Sequence, residues 1–431
     1  MLKYMRKILQ FKLKILAKLI ISKYKPRIIG ITGSIGKTSS KEAVCQVLSS
    51  RFKVRASFKN YNNELGLPLT IIGHESVGRS ITGWLKIFIQ ALKIIIFRDK
   101  NYPEVLVLEL GIDRPGDMTY LCSIVKPEIG IETAVSYAHI EFFGSIGNIK
   151  KEKQVLIENV DNKGLSILNY DNELTREMAS VSRAKIITYG LLEGADLMAQ
   201  DISYNFSKGD YDLAGLHFKM SYNGSIVPVF MKNVLSEPAI YAALTGAAVG
   251  LHFGMNLVEV AGVLNDFNLP AGRMNLLAGI NHTFVIDDTY NSSPEACVSA
   301  LKVLGNIRIS EDGKKYAVLG DMMEIGDYTE DGHKLVGQKI AELKLDYLIA
   351  VGQRAKFIAI GAKEAGLPDS KIFHFDTVKE ANDFLLSKMN MGDVILVKGS
   401  QFMRMEKIVK VLMAEPERAN ELLVRQGTEW E

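Results

Sequence analysis

Cysteine is scarce: Cys45, Cys122 and Cys297 are the only three in 431 residues. They lie far apart with no Cys-x-x-Cys spacing, which argues against a disulfide framework or a cysteine zinc site and suits small buried residues in a reducing compartment. Net charge is also scarce. A formal value of +3 gives no argument for a nucleic-acid partner, and none is expected. Repeats and low-complexity tracts are absent, and 47% hydrophobic against 23% charged residues is the balance of a folded protein, not a disordered one. A transmembrane run is lacking too, because the apolar stretches at residues 1–25 and 84–98 are short and broken by lysines. The length exceeds what one core serves, so two or three domains are expected.

Acidic residues are missing from one region in particular. Lys3, Arg6, Lys7, Lys12, Lys14, Lys18, Lys23, Lys25 and Arg27 all precede the first acid, Glu42. Leu2, Met5, Leu9, Leu13, Leu16 and Ile20 recur at helical spacing, with Lys3, Lys7, Gln10, Lys14 and Lys18 on a second face, so a basic amphipathic helix is expected up to Pro26. No small-residue cleavage site follows it. Two readings stand open: docking on an anionic membrane surface through residues 1–25, or packing of the stripe on its own domain. Trp84–Arg98 is a second cationic, apolar helix candidate.

What is present is a phosphate loop. Ile28–Lys41 reads as a β-branched run entering glycines 30, 33 and 36, then Lys37 and Thr38, then a helix. Backbone N–H groups of Gly33, Ser34, Ile35, Gly36 and Ser39 can close around phosphate oxygens at a helix start. Lys37 can reach the β/γ-phosphates and the Thr38 hydroxyl can bind Mg²⁺. The strict G-x-x-x-x-G-K-[ST] pattern wants glycine at position 31, where the chain has Ile31, so the generic motif is only partly met.

Beyond the loop, Asn60, Asn62 and Asn63 cluster as turn formers. Glu104–Leu110 is an apolar run expected as a buried parallel strand, with Glu109 near its C-terminal end as a metal or catalytic carboxylate or a satisfied structural one. Ile129–Val135 is a second strand leading to His139, and Lys150, Lys151 and Lys153 follow on a helix. Leu165–Leu168 ends in Asn169 and Asp171. Residues 197–232 alternate like antiparallel strands with Asn223-Gly224 as a hairpin, and Glu237–Leu251 is an Ala-rich helix. Phe267–Arg273 carries the Pro and Gly of a domain boundary. Strands then alternate with helices: Thr283–Asp287, Tyr316–Gly320, Tyr347–Val351, Ile372–Phe375 and Val394–Val397, with helices near 294–305, 331–343, 354–365, 377–388 and 402–413. Polar clusters at Asp287–Asn291, Gly320–Glu324 and Lys398–Ser400 follow strand ends. The fold class is α/β: a basic helix at 1–27, a central domain at 28–270 with a mostly parallel sheet around the phosphate loop, and a Rossmann-like doubly wound domain at 271–431.

Thr32–Thr38, Asn60–Thr70, Ala138–Ser145, Asp288–Pro294 and Val318–Gly326, in this order, resemble the signatures of the Mur ligases, within them the type that adds D-alanyl-D-alanine to a UDP-muramoyl-tripeptide. The likeness spans residues 28 to about 410, nearly all of the chain beyond the first helix. Its version of the phosphate loop accounts for Ile31. The resemblance implies ATP-dependent amide formation through an acyl phosphate in peptidoglycan precursor synthesis, by a cytoplasmic monomer with contact to the inner membrane face as a further possibility.

The resemblance also implies site roles. Thr38 and Glu109 would hold one Mg²⁺ and His139 a second. Lys153, fourteen residues after His139, would carry a CO₂-derived carbamate bridging the metals, with Lys150 and Lys151 as dispensable neighbours. Arg273 would reach ATP phosphates, Asp288, Asn291 and Asn169 would contact nucleotide, Asn60, Asn62 and Asn63 would contact the substrate, and Asn169 with Asp171 forms the strand-end Asn-x-Asp. Two departures are visible. Only 27 residues precede the first strand, so the family's separate domain for the uridine-nucleotide end is expected to be absent. The family's Gly-x-His-Asn-x-x-Asn stretch reads here as Ser236–Leu244 without His or Asn and carries over no adenine contact. A lipid-linked muropeptide as acceptor, and a nucleotide-binding regulatory protein without turnover, are the alternatives.

Overall fold

The computed structural model describes residues 2–57, 62–78, 80–136, 140–207, 210–307, 309, 312–323, 325–427 and 430. Asn60, Tyr61 and His139 therefore lie outside the described residues. Two compact units form: Met1–Asp201 with Phe218–Val229 and Pro238–Phe267, and Ile202–His217 with Phe230–Glu237 and Asn268–Glu431.

A nine-stranded sheet takes in β1 (Arg27–Thr32), β2 (Val54–Ala56), β3 (Val105–Glu109), β4 (Ile129–Glu132), β5 (Leu165–Asn169), β6 (Lys185–Gly190), β7 (Leu197–Ser207), β8 (Asp210–Tyr222) and β9 (Ser225–Lys232). Its order is β2-β3-β1-β4-β5-β6-β7-β8-β9. Strands β3, β4 and β5 are buried along their whole length, as predominantly apolar strands in a parallel sheet covered on both faces should be. Register sets the site. Ile31 pairs with both Glu109 of β3 and Ile131 of β4, so the three strands release their chains at one edge, where ligands gather in such sheets. The expected hairpin turn is present between β8 and β9, with Asn223 and Gly224 both at positive φ, 47° and 79°.

The N-terminal helix is α1 (Leu2–Tyr24). Helices α2 (Lys37–Ser49), α3 (Gly66–Ile72) and α4 (Ile81–Ile96) follow it. Leu13, Ala17 and Ile20 of α1 are fully buried in one core cluster with Leu67 and Ile71 of α3 and with Ile87 and Ala91 of α4. The expected stripe therefore packs on its own domain. The opposite face is not simply polar as anticipated, because Phe11, Ile15 and Leu19 are exposed there.

In the second unit a six-stranded sheet contains β10 (Asn275–Ala278), β11 (Phe284–Asp288), β12 (Lys315–Gly320), β13 (Tyr347–Val351), β14 (Ile372–Phe375) and β15 (Val394–Lys398). The order β10-β11-β15-β12-β13-β14 is parallel except for the antiparallel β10–β11 pair. Helices Pro294–Asn306, Thr329–Glu342, Lys356–Glu364, Val378–Lys388 and Glu406–Leu412 accompany it. Strand β10 has no counterpart in the sequence reading, its four residues being too short to show alternation. Placing β15 between β11 and β12 brings the three polar strand ends named above to one edge.

Candidate active site

The phosphate loop begins later than the generic motif would place it. Ile31 is a fully buried residue of β1, so its side chain belongs to the sheet and the turn starts at Gly33. There φ is +149°, and a Cβ would stand 1.8 Å from Thr133 Oγ1; only glycine fits. Gly36, at φ 84°, precedes the first turn of α2. Ser34 N donates to Ala134 O at 2.7 Å, and Thr133 Oγ1 donates to Ile35 O and Thr32 O. The loop is thus laced to the end of β4. Lys37 Nζ folds back to donate to Gly33 O at 2.6 Å, which keeps its ammonium over the loop. Ile35 is exposed and Ser39 buried.

Thr38, on the first turn of α2, donates from Oγ1 to Glu109 Oε1 at 2.8 Å. Glu109 is 1% exposed, and its own N–H donates to Ser57 Oγ. This is a hydroxyl and a carboxylate side by side at the strand edge.

Lys153 is buried on the helix Ile146–Glu158, whereas Lys151 is exposed and Lys150 pairs with Glu177. Burial pushes the Lys153 ammonium down to about 8, with the charge of Glu132 acting against that shift and that of Lys37 adding to it. Burial likewise pushes the Glu132 carboxyl up to about 7, against the pull of Lys153 and Lys37. Both Glu132 oxygens are buried without a hydrogen-bond partner, a costly state that a nearby cation offsets. Glu132 was missed in the sequence. The signal was there: it is a carboxylate in an apolar strand, the same pattern that singled out Glu109.

Asn169 donates from Nδ2 to Thr133 O at 2.8 Å and accepts from Asp171 N; its carboxamide braces the loop's support. Asp171 accepts from Leu191 N, Leu192 N and the Tyr241 hydroxyl. Tyr241 lies in the stretch without the family's His and Asn, and it ties the helix Glu237–His252 to the strand edge. Asn62 O accepts from Gly111 N, and Asn63 Oδ1 accepts from Leu65 N and Gly66 N, so Asn63 builds the entry to α3 and Asn62 ties that entry to the chain just beyond β3.

In the second unit, Asp288 Oδ2 accepts from Lys398 Nζ at 2.7 Å, and the same ammonium donates to Asn291 O. Lys398 is 3% exposed; its pairing with Asp288 was not foreseen, although both strand ends were. Arg273 stacks its guanidinium 4.2 Å from the Tyr290 ring centroid. Asn291 is exposed.

The implied groups fit these residues. Thr38 and Glu109 offer hard oxygens suited to Mg²⁺. Among the described residues no three His, Cys, Asp or Glu side chains gather to hold a metal, so this pair would hold the ion together with other oxygens, such as those of a phosphate. Orphaned Glu132 beside buried Lys153 marks a second place where a polar group would be satisfied.

Residues 89–236 match the Mur ligase middle domain, and residues 272–401 match the Mur ligase glutamate ligase domain. The chain is 28% identical over 401 residues to a protein of Bacillus subtilis named UDP-N-acetylmuramoyl-tripeptide–D-alanyl-D-alanine ligase, covering 93% of this chain and 79% of the relative. A protein of Synechocystis with the same name is 29% identical, covering 90% and 75%. Among solved structures, MurF from Acinetobacter baumannii superposes with a TM-score of 0.76 at 25% identity, covering 93% of this chain and 79% of that one. MurF from Thermotoga maritima, solved in complex with ADP, has a TM-score of 0.73 at 24% identity, with coverage of 95% and 84%.

Proposed function

This chain belongs to the Mur ligase family, and from that premise we propose that it is an ATP-dependent amide ligase adding D-alanyl-D-alanine to UDP-N-acetylmuramoyl-tripeptide. The names of its relatives support the substrate class. The observation that carries the reading is the Thr38–Glu109 contact at the phosphate loop, with buried Lys153 near enough for the charge of Lys37 to act on it.

In this reaction the γ-phosphoryl group of ATP passes to the terminal carboxylate of the tripeptide, releasing ADP and leaving an acyl phosphate. The dipeptide amine then attacks the acyl carbon, phosphate departs, and the amine loses its proton. Two anions must approach in the first half, so cationic positioning dominates. Loop N–H groups from Gly33 to Ser39 would cradle the phosphates, and Lys37 would exchange Gly33 O for phosphate oxygens. Thr38 and Glu109 would hold Mg²⁺, which when bound neutralises charge on the phosphoryl oxygens. Burial pushes the Lys153 ammonium down, toward the neutral amine that takes up CO₂; as its carbamate Lys153 would join His139 in holding a second ion. Arg273, Asp288 and Asn291 are assigned to nucleotide, Asn169 to bracing the loop beneath it, and Asn60, Asn62 and Asn63 to the substrate. The domain limits 28–270 and 271–431, a cytoplasmic location and a monomeric state complete the reading.

Phosphate release from ATP, dependent on both D-alanyl-D-alanine and UDP-muramoyl-tripeptide, is the test. ATP binding with no substrate-dependent release would overturn the reading in favour of a regulatory nucleotide-binding protein. A lipid-linked muropeptide is a second acceptor class, favoured by the exposed apolar residues of α1 and α4; release only with that form would replace the first.

A further inference from the structure

Helices α1 and α4 each carry two apolar stripes where a surface helix needs one. At about 100° per residue, Ile8, Phe11, Ile15 and Leu19 of α1 share one arc of about 80°, opposite the buried Leu13, Ala17 and Ile20. All four are exposed, Phe11 by 64%. In α4, Leu85, Ile89, Leu92 and Ile96 share a similar arc with Ile81, opposite the buried Ile87 and Ala91. These five are exposed as well, Ile81 by 85%. Because the buried stripes of both helices enter the same core cluster, the exposed stripes both turn away from it.

The two helices are tied together. Lys23 Nζ donates to Ile94 O, Ile95 O and Phe97 O at 2.8–2.9 Å, capping the C-terminal end of α4, and the Tyr24 hydroxyl contacts Ile94 O and Phe97 O. Phe97, just beyond α4, is 66% exposed. Scattered exposed leucines need no explanation, but nine large apolar side chains on two linked helices, with Phe97 beside them, do.

Charge selects the occupant. Seven basic residues and no acidic one occur in α1, and Lys86 and Lys93 are the charged residues of α4. By helical position Lys12 and Lys18 border the α1 stripe on its two sides, and Lys86 and Lys93 border that of α4. A second copy applied through the same face would oppose cations to cations, which disfavours self-association. An anionic bilayer complements both features, taking the apolar stripes below its headgroups while the lysines meet lipid phosphates. No helix among the described residues is long and apolar enough to cross a membrane. We infer that the α1–α4 face docks this protein peripherally on an anionic phospholipid surface, a property independent of the ligase chemistry.

The test is flotation of the full chain with phosphatidylcholine vesicles, with and without phosphatidylglycerol, beside sedimentation of the protein alone. The variants are Phe11→Glu with Ile89→Glu, which place charges at exposed positions, and Val258→Glu as an exposed control elsewhere in the same unit. Flotation that requires phosphatidylglycerol, weakens in high salt, falls about tenfold or more in the double variant and is unchanged in Val258→Glu carries the inference. Absence of flotation by the parent chain overturns it, as does flotation indifferent to the double variant. A concentration-dependent dimer abolished by the double variant, without flotation of the parent chain, overturns it in favour of a second copy. Circular dichroism melts confirm that each variant is folded.

Discussion

Thr38 and Glu109 are joined by a 2.8 Å hydrogen bond across 71 residues of sequence. One stands on the first turn of α2 and the other on the last residue of β3, and parallel pairing of β1 with β3 sets their separation. A structural carboxylate could use such a bond, but its position on the phosphate loop gives it a second use. Thr38→Ala and Glu109→Gln are each expected to lower substrate-dependent phosphate release by about 10²-fold or more, with little change in melting temperature for Thr38→Ala. Release within twofold of the parent in both variants would remove this pair from the chemistry.

Lys150, Lys151 and Lys153 share one helix but differ in surroundings. Only Lys153 is buried, and that burial pushes its ammonium down. Lys153→Ala is expected to abolish phosphate release, with partial return on adding acetate or formate, because a small carboxylate can enter the space of the lost carbamate. Lys151→Ala should keep full activity, and Lys150→Ala should lose only the surface pair with Glu177, worth about 0–1 kcal/mol. Equal loss across the three lysines, without carboxylate rescue, would mean a general charge effect.

Gly33→Ala should disturb the loop more than its one added methyl suggests. The new Cβ would meet Thr133 Oγ1 at 1.8 Å, and Thr133 is itself held by Thr32 O and Ile35 O, so it cannot move without releasing the loop. ATP affinity measured by calorimetry is expected to fall by more than about tenfold, roughly 1.4 kcal/mol. Thr133→Ala should not restore it in the double variant, because Ala134 N and the Cβ of residue 133 would still stand 3.1 Å away and the bonds to Thr32 O and Ile35 O would be lost.

How far the sequence foretold this arrangement depended on the range of the signal. Strands β3, β13 and β15 were legible because aliphatic runs between turn residues are a local pattern, and Asn223-Gly224 announced its hairpin for the same reason. Strands β2 and β10, of three and four residues, are too short to show a period. The loop, Glu109 and Lys153 were named from motif and resemblance, yet the Thr38–Glu109 and Lys398–Asp288 bonds depend on strand register, which no local pattern records. Glu132 was passed over because its run was read for apolarity alone. In α1 only one stripe was sought, so the second apolar face went unseen although its spacing was equally regular.

Stability should depend on acid through Glu128. Burial raises its carboxyl, but hydrogen bonds from His252 and Arg27 outweigh that and hold it down at about 2, below the ordinary 4.5. The Arg27 guanidinium donates twice within 3 Å and stacks 3.5 Å from the Phe253 ring centroid. Since the folded value lies below the unfolded one, the stabilisation is complete above about pH 5 and fades as pH falls toward 2. With the pair half open to solvent, it amounts to about 1–2 kcal/mol. Glu128→Gln should therefore lower the denaturant midpoint at pH 7 and flatten the loss of stability between pH 5 and 2. A parallel offset at every pH would mean that packing, not charge, was removed.

The two faces of α1 make opposite predictions for stability. Leu13 is fully buried among α3 and α4 side chains, whereas Phe11, two residues earlier, is 64% exposed. Leu13→Ala removes buried methyl groups and leaves a cavity, at a cost of about 2–4 kcal/mol. Phe11→Ala should change stability by less than about 0.5 kcal/mol, despite removing the larger side chain. Urea midpoints of the two variants decide the matter. Similar losses would mean that Phe11 is covered within the folded chain and that its stripe is not available to any surface; a loss confined to Leu13→Ala leaves Phe11 retained on the outside without a folding role, which is the condition a docking residue must meet.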